Sequence, residues 1–365
     1  MSVLAGRTAV VTGAARGIGA ALAGELAARG CRVALVGHEP EGLARTARTC
    51  GPHARSWCAD VTDSARMAQV AQDVERTFGP ADIVVANAGI AVGGPFLHTD
   101  AATFDRVVEV NLLGSVRTAR AFVPQLVRRH GYLLQVASLA ALVTSPMMAA
   151  YCASKSGVEA FAHSVGAELA QHGVGVGVAY LSWIDTDLVR AADGSGPAAA
   201  YRQRLPAPFN RTYPVAAAAA ALADGVERRR THVFHPRWVG AVVPVRGVLT
   251  RVLAAAGRRE AGGLERALLA EGRGFDLVGA GGEADAAARH EAAPNPTGRP
   301  GSAGLPDEGH AEPDERRAGD PVDGPDHARA GQHATHPGDP ADDEGEPDDP
   351  LDVVHESEQQ AHERR

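Results

Sequence analysis

Along the first two-thirds of the chain, short apolar runs alternate with longer segments in which apolar residues recur at helical spacing. Residues 8–11, 32–36, 55–57, 83–86, 132–136 and 174–180 are predicted as strands. Residues 18–29, 41–49, 64–78, 102–129 and 150–172 are predicted as the helices between them. A further helix is expected over 214–230 and a last short strand over 232–234. Repeated β-α alternation implies an α/β fold, a doubly wound parallel sheet covered by helices on both faces. The rhythm breaks at 187–213, where Gly194, Gly196, Pro197, Pro206 and Pro208 predict a long irregular segment, either a lid over a site or a loose surface loop. No internal repeat is evident.

Composition then divides the 365 residues. No Phe, Tyr or Trp follows Phe275, and residues 283–365 hold 22 acidic and 7 basic side chains, a net charge of −15. The whole chain carries −8, so residues 1–282 carry +7. Such a tail buries too little apolar surface to offset chain entropy and is expected to be disordered. The expected organisation is a catalytic domain over 1–236, a basic apolar helical extension over 237–282 and an acidic tail over 283–365. The four cysteines show no CxxC spacing and no signal-like segment precedes the first strand, so reduced thiols in a cytoplasmic protein are expected. No run of about 18 uninterrupted apolar residues predicts a membrane span. The histidines show no metal-ligand spacing, and neither a metal nor a nucleic-acid partner is expected.

Residues 231–259 form a distinct stretch. No acid lies between Glu227 and Glu260, while Arg237, Arg246, Arg251, Arg258 and Arg259 intersperse Trp238 and several Val and Leu residues. Basic residues among Trp and aliphatics suit a peripheral contact with a membrane surface; a core helix or a subunit interface has the same pattern.

Two local patterns carry chemistry. The first strand runs into Thr12-Gly13-Ala14-Ala15-Arg16-Gly17-Ile18-Gly19 and a helix follows. Glycines there permit a tight turn and close approach of backbone to a pyrophosphate, and the helix N-terminus offers N–H donors. Second, Tyr151 and Lys155 are four residues apart, one turn on one face of a helix. A cation beside a phenol favours phenolate, so a lowered phenol pKa and acid–base use near neutral pH are expected. Lys155 is the one lysine among 36 basic Lys and Arg residues, which points to a site where the larger guanidinium will not serve.

The TGxxxGxG spacing and the Tyr151-Cys152-Ala153-Ser154-Lys155 element resemble the short-chain dehydrogenase/reductase family, in its single-domain branch, over residues 5–235. The resemblance implies a Rossmann-type sheet, a nicotinamide cofactor and interconversion of a secondary alcohol and a ketone by hydride transfer. It implies cofactor contacts at Gly13, Gly17, Ile18 and Gly19, at Asp60 and Val61 beside the adenine, at Asn87, Ala88 and Gly89, and at Tyr151 and Lys155. Ser138 would hold the substrate oxygen, and Asn111 a water beside the lysine. Ile184 and Thr186 would meet the carboxamide, although Leu181-Ser182 stands where the family has Pro-Gly. NAD and NADP both remain open: Glu39 opposes a 2′-phosphate and tilts the reading to NAD, whereas Arg16 and His38 would welcome NADP. A small, hydrophobic substrate is expected from Leu139, Leu142, Met147, Met148 and Trp183, which would serve equally as core. A homo-oligomer is expected from the family. The alternative is a nucleotide-binding regulatory or scaffold protein on the same fold.

Overall fold

Strand β1 (Thr8–Thr12) is buried along its whole length, as a strand covered by helices on both faces must be. The protein's structure, a computed structural model, describes residues 2–194, 196–272 and 275–292. β1 joins β2 (Arg32–Gly37), β3 (Ala54–Cys58), β4 (Ile83–Ala86), β5 (Tyr132–Val136), β6 (Gly175–Leu181) and β7 (His232–His235) in one sheet of order 3-2-1-4-5-6-7. Every pairing is parallel. The chain therefore reverses its direction of travel across the sheet between β1 and β4. In open α/β sheets that switch point leaves a crevice at the carboxyl ends of the strands.

Helices α1 (Gly17–Ala28), α2 (Pro40–Cys50), α3 (Ser64–Phe78), α4 (Ala101–Val108), α5 (Gly114–Arg129), α6 (Leu139–Leu142), α7 (Ala149–Ala170), α8 (Asp187–Asp193), α9 (Gly196–Arg204) and α10 (Val215–Glu227) fill the connections. One apolar layer packs Leu22 and Leu26 of α1 and Leu222 of α10 against Val11, Leu35 and Leu134. The opposite layer packs Met67, Val70 and Val74 of α3 and Phe122 of α5 against Val10, Val84 and Leu133. Successive strand residues thus serve opposite cores, which is why these strands read as continuous apolar runs.

Two expectations need correction. The helix expected over 102–129 is interrupted by a π-helical turn, Glu109–Leu113, between α4 and α5. The extra residue lets Asn111 reach the chain beyond β4 and lets Gly114 lie against Val61, whose Cγ2 would be 2.5 Å from a Cβ there. The stretch 187–213 is not irregular throughout: α8 and α9 occupy most of it, and Tyr213 closes it by a parallel bridge to Ile184. Thr186 stands in extended conformation before α8, and Pro197 falls in the first turn of α9, where its missing N–H costs nothing.

Beyond β7 a 3-10 stretch, Arg237–Val245, leads into α11 (Arg246–Ala270). Val239 and Val242 are buried against Leu139, Leu142, Val158 and Tyr180. Trp238 donates through Nε1 to the Tyr213 hydroxyl (3.0 Å) and meets Phe209 edge-on. Arg246 reaches Glu159 Oε1 (2.9 Å), which also accepts from the Tyr180 hydroxyl (2.8 Å). The core-helix alternative therefore accounts for the inner side of 231–259. Its outer side leaves Val245, Val248 and Val252 exposed. By length and composition alone, Arg237–Ala270 would suffice to cross a bilayer, although arginines interrupt it.

Finally, α12 (Gly279–Ala292) runs across the boundary expected at residue 283. Its Asp285 is buried, so the acidic part of the chain begins inside the folded unit. The remainder of the expected tail, 293–365, lies outside the described residues.

Candidate active site

The loops that leave β1, β2, β3, β4, β5 and β6 at their carboxyl ends surround one cleft. Every catalytic and cofactor-binding residue expected from the sequence lines it except Asn111.

At its floor the glycine turn is shaped by close approach. Gly13 and Gly17 adopt φ of +64° and +55°, where side chains are strained. A Cβ at Gly19 would lie 2.2 Å from the Gly13 carbonyl oxygen, so only glycine lets α1 start so near the strand. Thr12 and Asn87 staple this turn to the end of β4. Asn87 Nδ2 donates to the Thr12 carbonyl (2.9 Å), and Thr12 Oγ1 accepts from the Asn87 and Ala88 amides (3.0 and 3.2 Å). No side chain caps α1 and its first turn carries no acid. Its N–H groups thus face the cleft at the positive end of the helix dipole, a fit for a pyrophosphate. The cradle that a Cβ would fill and the uncapped helix together suit a dinucleotide.

At the end of β2, Arg16 and Glu39 form a two-pronged ion pair, Nε to Oε1 at 3.0 Å and Nη2 to Oε2. The two side chains expected to pull the cofactor choice in opposite directions neutralise each other. Beside them His38 has Nε2 buried without a protein partner among the described residues, and burial lowers its imidazole pKa. Asp60 accepts from the Thr62 amide (2.9 Å) and from Arg106 Nη2 (2.6 Å). Burial opposes its charge, but those two donors outweigh it and hold the carboxyl below its ordinary range.

On the other side Ser138 follows β5 and opens α6, its Oγ accepting from the Ala140 amide (3.2 Å). Tyr151 stands in the first turn of α7, its phenol close enough to the Ser138 side chain for that hydroxyl to act on its pKa. Lys155, one turn on, is 4% exposed and donates through Nζ to the Val136 carbonyl (2.9 Å). Its Nζ lies 5.8 Å from the centre of the Tyr151 ring. The expected electrostatics are corrected here: burial raises the phenol pKa, with the Ser138 hydroxyl opposing, and pulls the Lys155 ammonium down to about 8. Loss of water acts on both groups more strongly than either acts on the other.

Asn111 is fully buried and clamps the loop after β4. Its Oδ1 accepts from the Ile90 amide (2.8 Å), and its Nδ2 donates to the Ile90 carbonyl and to Ser154 Oγ (both 3.0 Å). Gly89 fits between Asn111 and Lys155: a Cβ there would lie 3.2 Å from Asn111 Oδ1 and 3.4 Å from Lys155 Nζ.

Where Leu181-Ser182 departs from the family pattern, the backbone is held by the Ser182 amide donating to the His235 carbonyl (3.0 Å). Ile184 is buried beneath its bridge to Tyr213, and Thr186 sits over the glycine turn, its Cγ2 3.5 Å from where a Gly17 Cβ would be. Of the expected pocket residues, Leu139 and Leu142 belong to the core, and none of Met147, Met148 or Trp183 lines the cleft. Sequence reasoning missed Arg106, Asp285, Val278, Gly281 and Gly282. The last four line the cleft from the far end of the chain.

Comparison with known proteins gives a family-model match, short chain dehydrogenase, over residues 7–194. The chain is 32% identical over 187 residues to the 3-oxoacyl-[acyl-carrier-protein] reductase FabG of Escherichia coli, covering 51% of this chain and 77% of that protein. It is 34% identical over 187 residues to the 2,3-dihydro-2,3-dihydroxybenzoate dehydrogenase of Bacillus subtilis, covering 50% and 72%. Among solved structures, a short chain dehydrogenase/reductase from Burkholderia phymatum in complex with NAD superposes with a TM-score of 0.59 at 25% identity, covering 66% of this chain and 93% of that one.

Proposed function

This chain belongs to the short chain dehydrogenase family and is an NAD(P)-dependent oxidoreductase, and from that premise we propose that it interconverts a secondary alcohol and a ketone with Tyr151 as acid and base. The observation that carries the proposal is the meeting of Ser138, Tyr151 and Lys155 with the glycine turn in one cleft.

When bound, the nicotinamide would give or take the hydride. In the reducing direction the Tyr151 O–H donates its proton to the carbonyl oxygen as hydride reaches the carbon, which leaves an alcohol and a phenolate. Its raised pKa keeps the phenol protonated at neutral pH, the form a donor needs. Ser138 is placed to orient the same oxygen, and Lys155, still largely protonated below about pH 8, stabilises the phenolate before a new proton arrives. The cofactor's phosphates would rest on Gly13, Gly17, Ile18 and Gly19, its adenosine end near Glu39, Asp60 and Val61, and its carboxamide near Ile184 and Thr186. Asn87, Ala88, Gly89 and Asn111 hold the floor between.

Of the two cofactors we infer NAD. The guanidinium nearest the end of β2, Arg16, is already engaged by Glu39, which leaves a 2′-phosphate without a ready counter-charge. For a hydrophobic substrate speak the apolar Pro146, Leu253, Ala254 and Ala261 of a second cavity ahead of the Tyr151 helix, which Thr144, Ser145 and Arg258 also line and which shares no residue with the cleft. The exposed Val245, Val248 and Val252, with Arg251 and Arg258 on the same helix, favour contact with an anionic lipid surface as the route by which such a substrate arrives. The test is NAD(P)H consumption against a ketone panel by wild type and Tyr151→Phe. A variant that retains turnover while binding cofactor normally would overturn the assigned role.

A further inference from the structure

The cleft has a wall that neither the glycine turn nor the catalytic helix supplies. After α11 the chain returns across the sheet's carboxyl edge. Leu277 forms an antiparallel bridge with Val92, and the Val278 amide donates to the Ala91 carbonyl (2.8 Å). The Phe275 ring lies on Gly94, where a Cβ would be 2.5 Å from it. Gly94 is itself tied to the Met147 carbonyl (2.8 Å), just ahead of the catalytic helix. Gly279, at φ +80°, then presses on α8, where a Cβ would lie 2.8 Å from Leu188 Cα. The segment is thus fixed at two places, the loop after β4 and the helix after β6, on opposite sides of the cleft.

A third attachment is ionic. Asp285, 3% exposed, accepts from Arg106 Nε at both oxygens (3.1 Å each) and from Nη2 at Oδ1 (2.6 Å). Arg106 is 8% exposed and spends its remaining donors on Asp60, Thr62 and Glu109. Withdrawing Asp285 would cost the three contacts it makes with Arg106 and leave Nε of that buried guanidinium without its acceptor, while Asp60 and Glu109 remain as counter-charges. Between these attachments Val278, Gly281, Gly282 and Asp285 face the same cleft as Gly13, Glu39 and Asp60.

We propose that residues 275–287 are a strap that retains the dinucleotide, latched by Asp285 to Arg106, so that cofactor leaves only when the latch opens. The proposal rests on the NAD(P) reading of the cleft. A bound dinucleotide lies beneath Val278 and Gly281 with its adenosine end beside the latch. Phe275, the Leu277–Val92 bridge and the Asp285 latch hold the segment down together, and cofactor leaves when it lifts at both the bridge and the latch.

The first experiment measures NADH dissociation from the full-length protein by stopped-flow fluorescence, with excess NAD as displacer, for wild type and Asp285→Asn. Loss of one charge-assisted attachment should speed release by about tenfold or more, with the on-rate unchanged or faster. The second covers the case in which Asp285→Asn fails to fold. Val92 and Leu277 face each other as a non-hydrogen-bonded antiparallel pair, the kind with the closer side chains, so Val92→Cys with Leu277→Cys should form a disulfide under oxidant. Oxidised after loading, that variant should exchange cofactor more slowly than wild type, and reduction should restore the rate. Limited proteolysis within 275–287 should be faster in Asp285→Asn and slower in the cross-linked form, with or without substrate. Release from a folded Asp285→Asn at the wild-type rate, or exchange indifferent to the redox state of the cross-link, would overturn the strap and leave the cofactor reading intact. A wild type that binds neither NADH nor NADPH would overturn both.

Discussion

Lys155→Met should make this protein more stable at neutral pH while removing its activity. Burial lowers the ammonium pKa from 10.5 to about 8, and at 1.36 kcal/mol per pH unit that corresponds to about 3 kcal/mol of folding free energy lost by keeping the group charged inside. Among the described residues only one hydrogen bond, to the Val136 carbonyl, is gained in return. Methionine has nearly the same length and no charge, so the variant sheds the penalty and gives up a hydrogen bond worth about 1 kcal/mol net. A gain of about 2 kcal/mol is therefore expected. The sign has a pH signature. Below about pH 8 the lysine is protonated in both folded and unfolded chains and the penalty is fully present. Between about 8 and 10.5 the folded state releases its proton while the unfolded state keeps it, so wild-type stability rises with pH and the variant's advantage shrinks. Urea unfolding of both proteins from pH 7 to pH 10 isolates the effect, because every other titrating group is common to the two. Turnover should fall by about 100-fold or more through loss of acid–base assistance. A variant less stable than wild type at pH 7, or a stability difference that does not move with pH, would refute the account of a strained buried cation.

Two further outcomes follow from the rim of the site and the surface of α11. Glu39→Ala should release Arg16 to face a 2′-phosphate, raising NADPH affinity relative to NADH by about tenfold in equilibrium titrations; an unchanged ratio would show that Arg16 does not reach the cofactor. Val248→Asp with Val252→Asp should lower sedimentation of the protein with anionic vesicles at low salt and leave its melting temperature near wild type, since both residues are exposed; equal sedimentation would remove the lipid contact.

The legible parts of this protein were those fixed locally. Strands such as Ile83–Ala86 are buried on both faces and leave an unbroken apolar signature, and the Tyr151–Lys155 pair is set by a single helical turn. The glycine turn was legible for the same reason, since its steric demands fall on neighbours in sequence. Contacts made across long separations were not. Arg106 and Asp285 are 179 residues apart, and nothing in the composition of 283–365 distinguishes Asp285 from the other acids there. The Arg16–Glu39 pair was visible as two residues and not as one neutral unit. The phenol pKa was misjudged because spacing reports the neighbouring cation, whereas burial, which dominates, belongs to the assembled fold. The π turn at Glu109–Leu113 answers to Asn111 reaching Ile90, a demand of packing that helical periodicity does not record.

The Glu159 carboxylate ties the extension to the helix of Tyr151 and Lys155 in a way that bears on how such a chain can be shortened or lengthened. Glu159 stands one turn beyond Lys155 on α7 and takes its cation from Arg246, in the first turn of α11. Among the described residues, a chain ended after β7 would leave that carboxylate with only the Tyr180 hydroxyl and would bare the faces that Val239 and Val242 cover. A chain that keeps the present surroundings of the helix carrying Tyr151 and Lys155 therefore runs through Arg246, past residue 194, where the family match ends. Substitutions at Val239, Val242 or Arg246 would then reach the packing and charge of the helix that carries Tyr151 and Lys155.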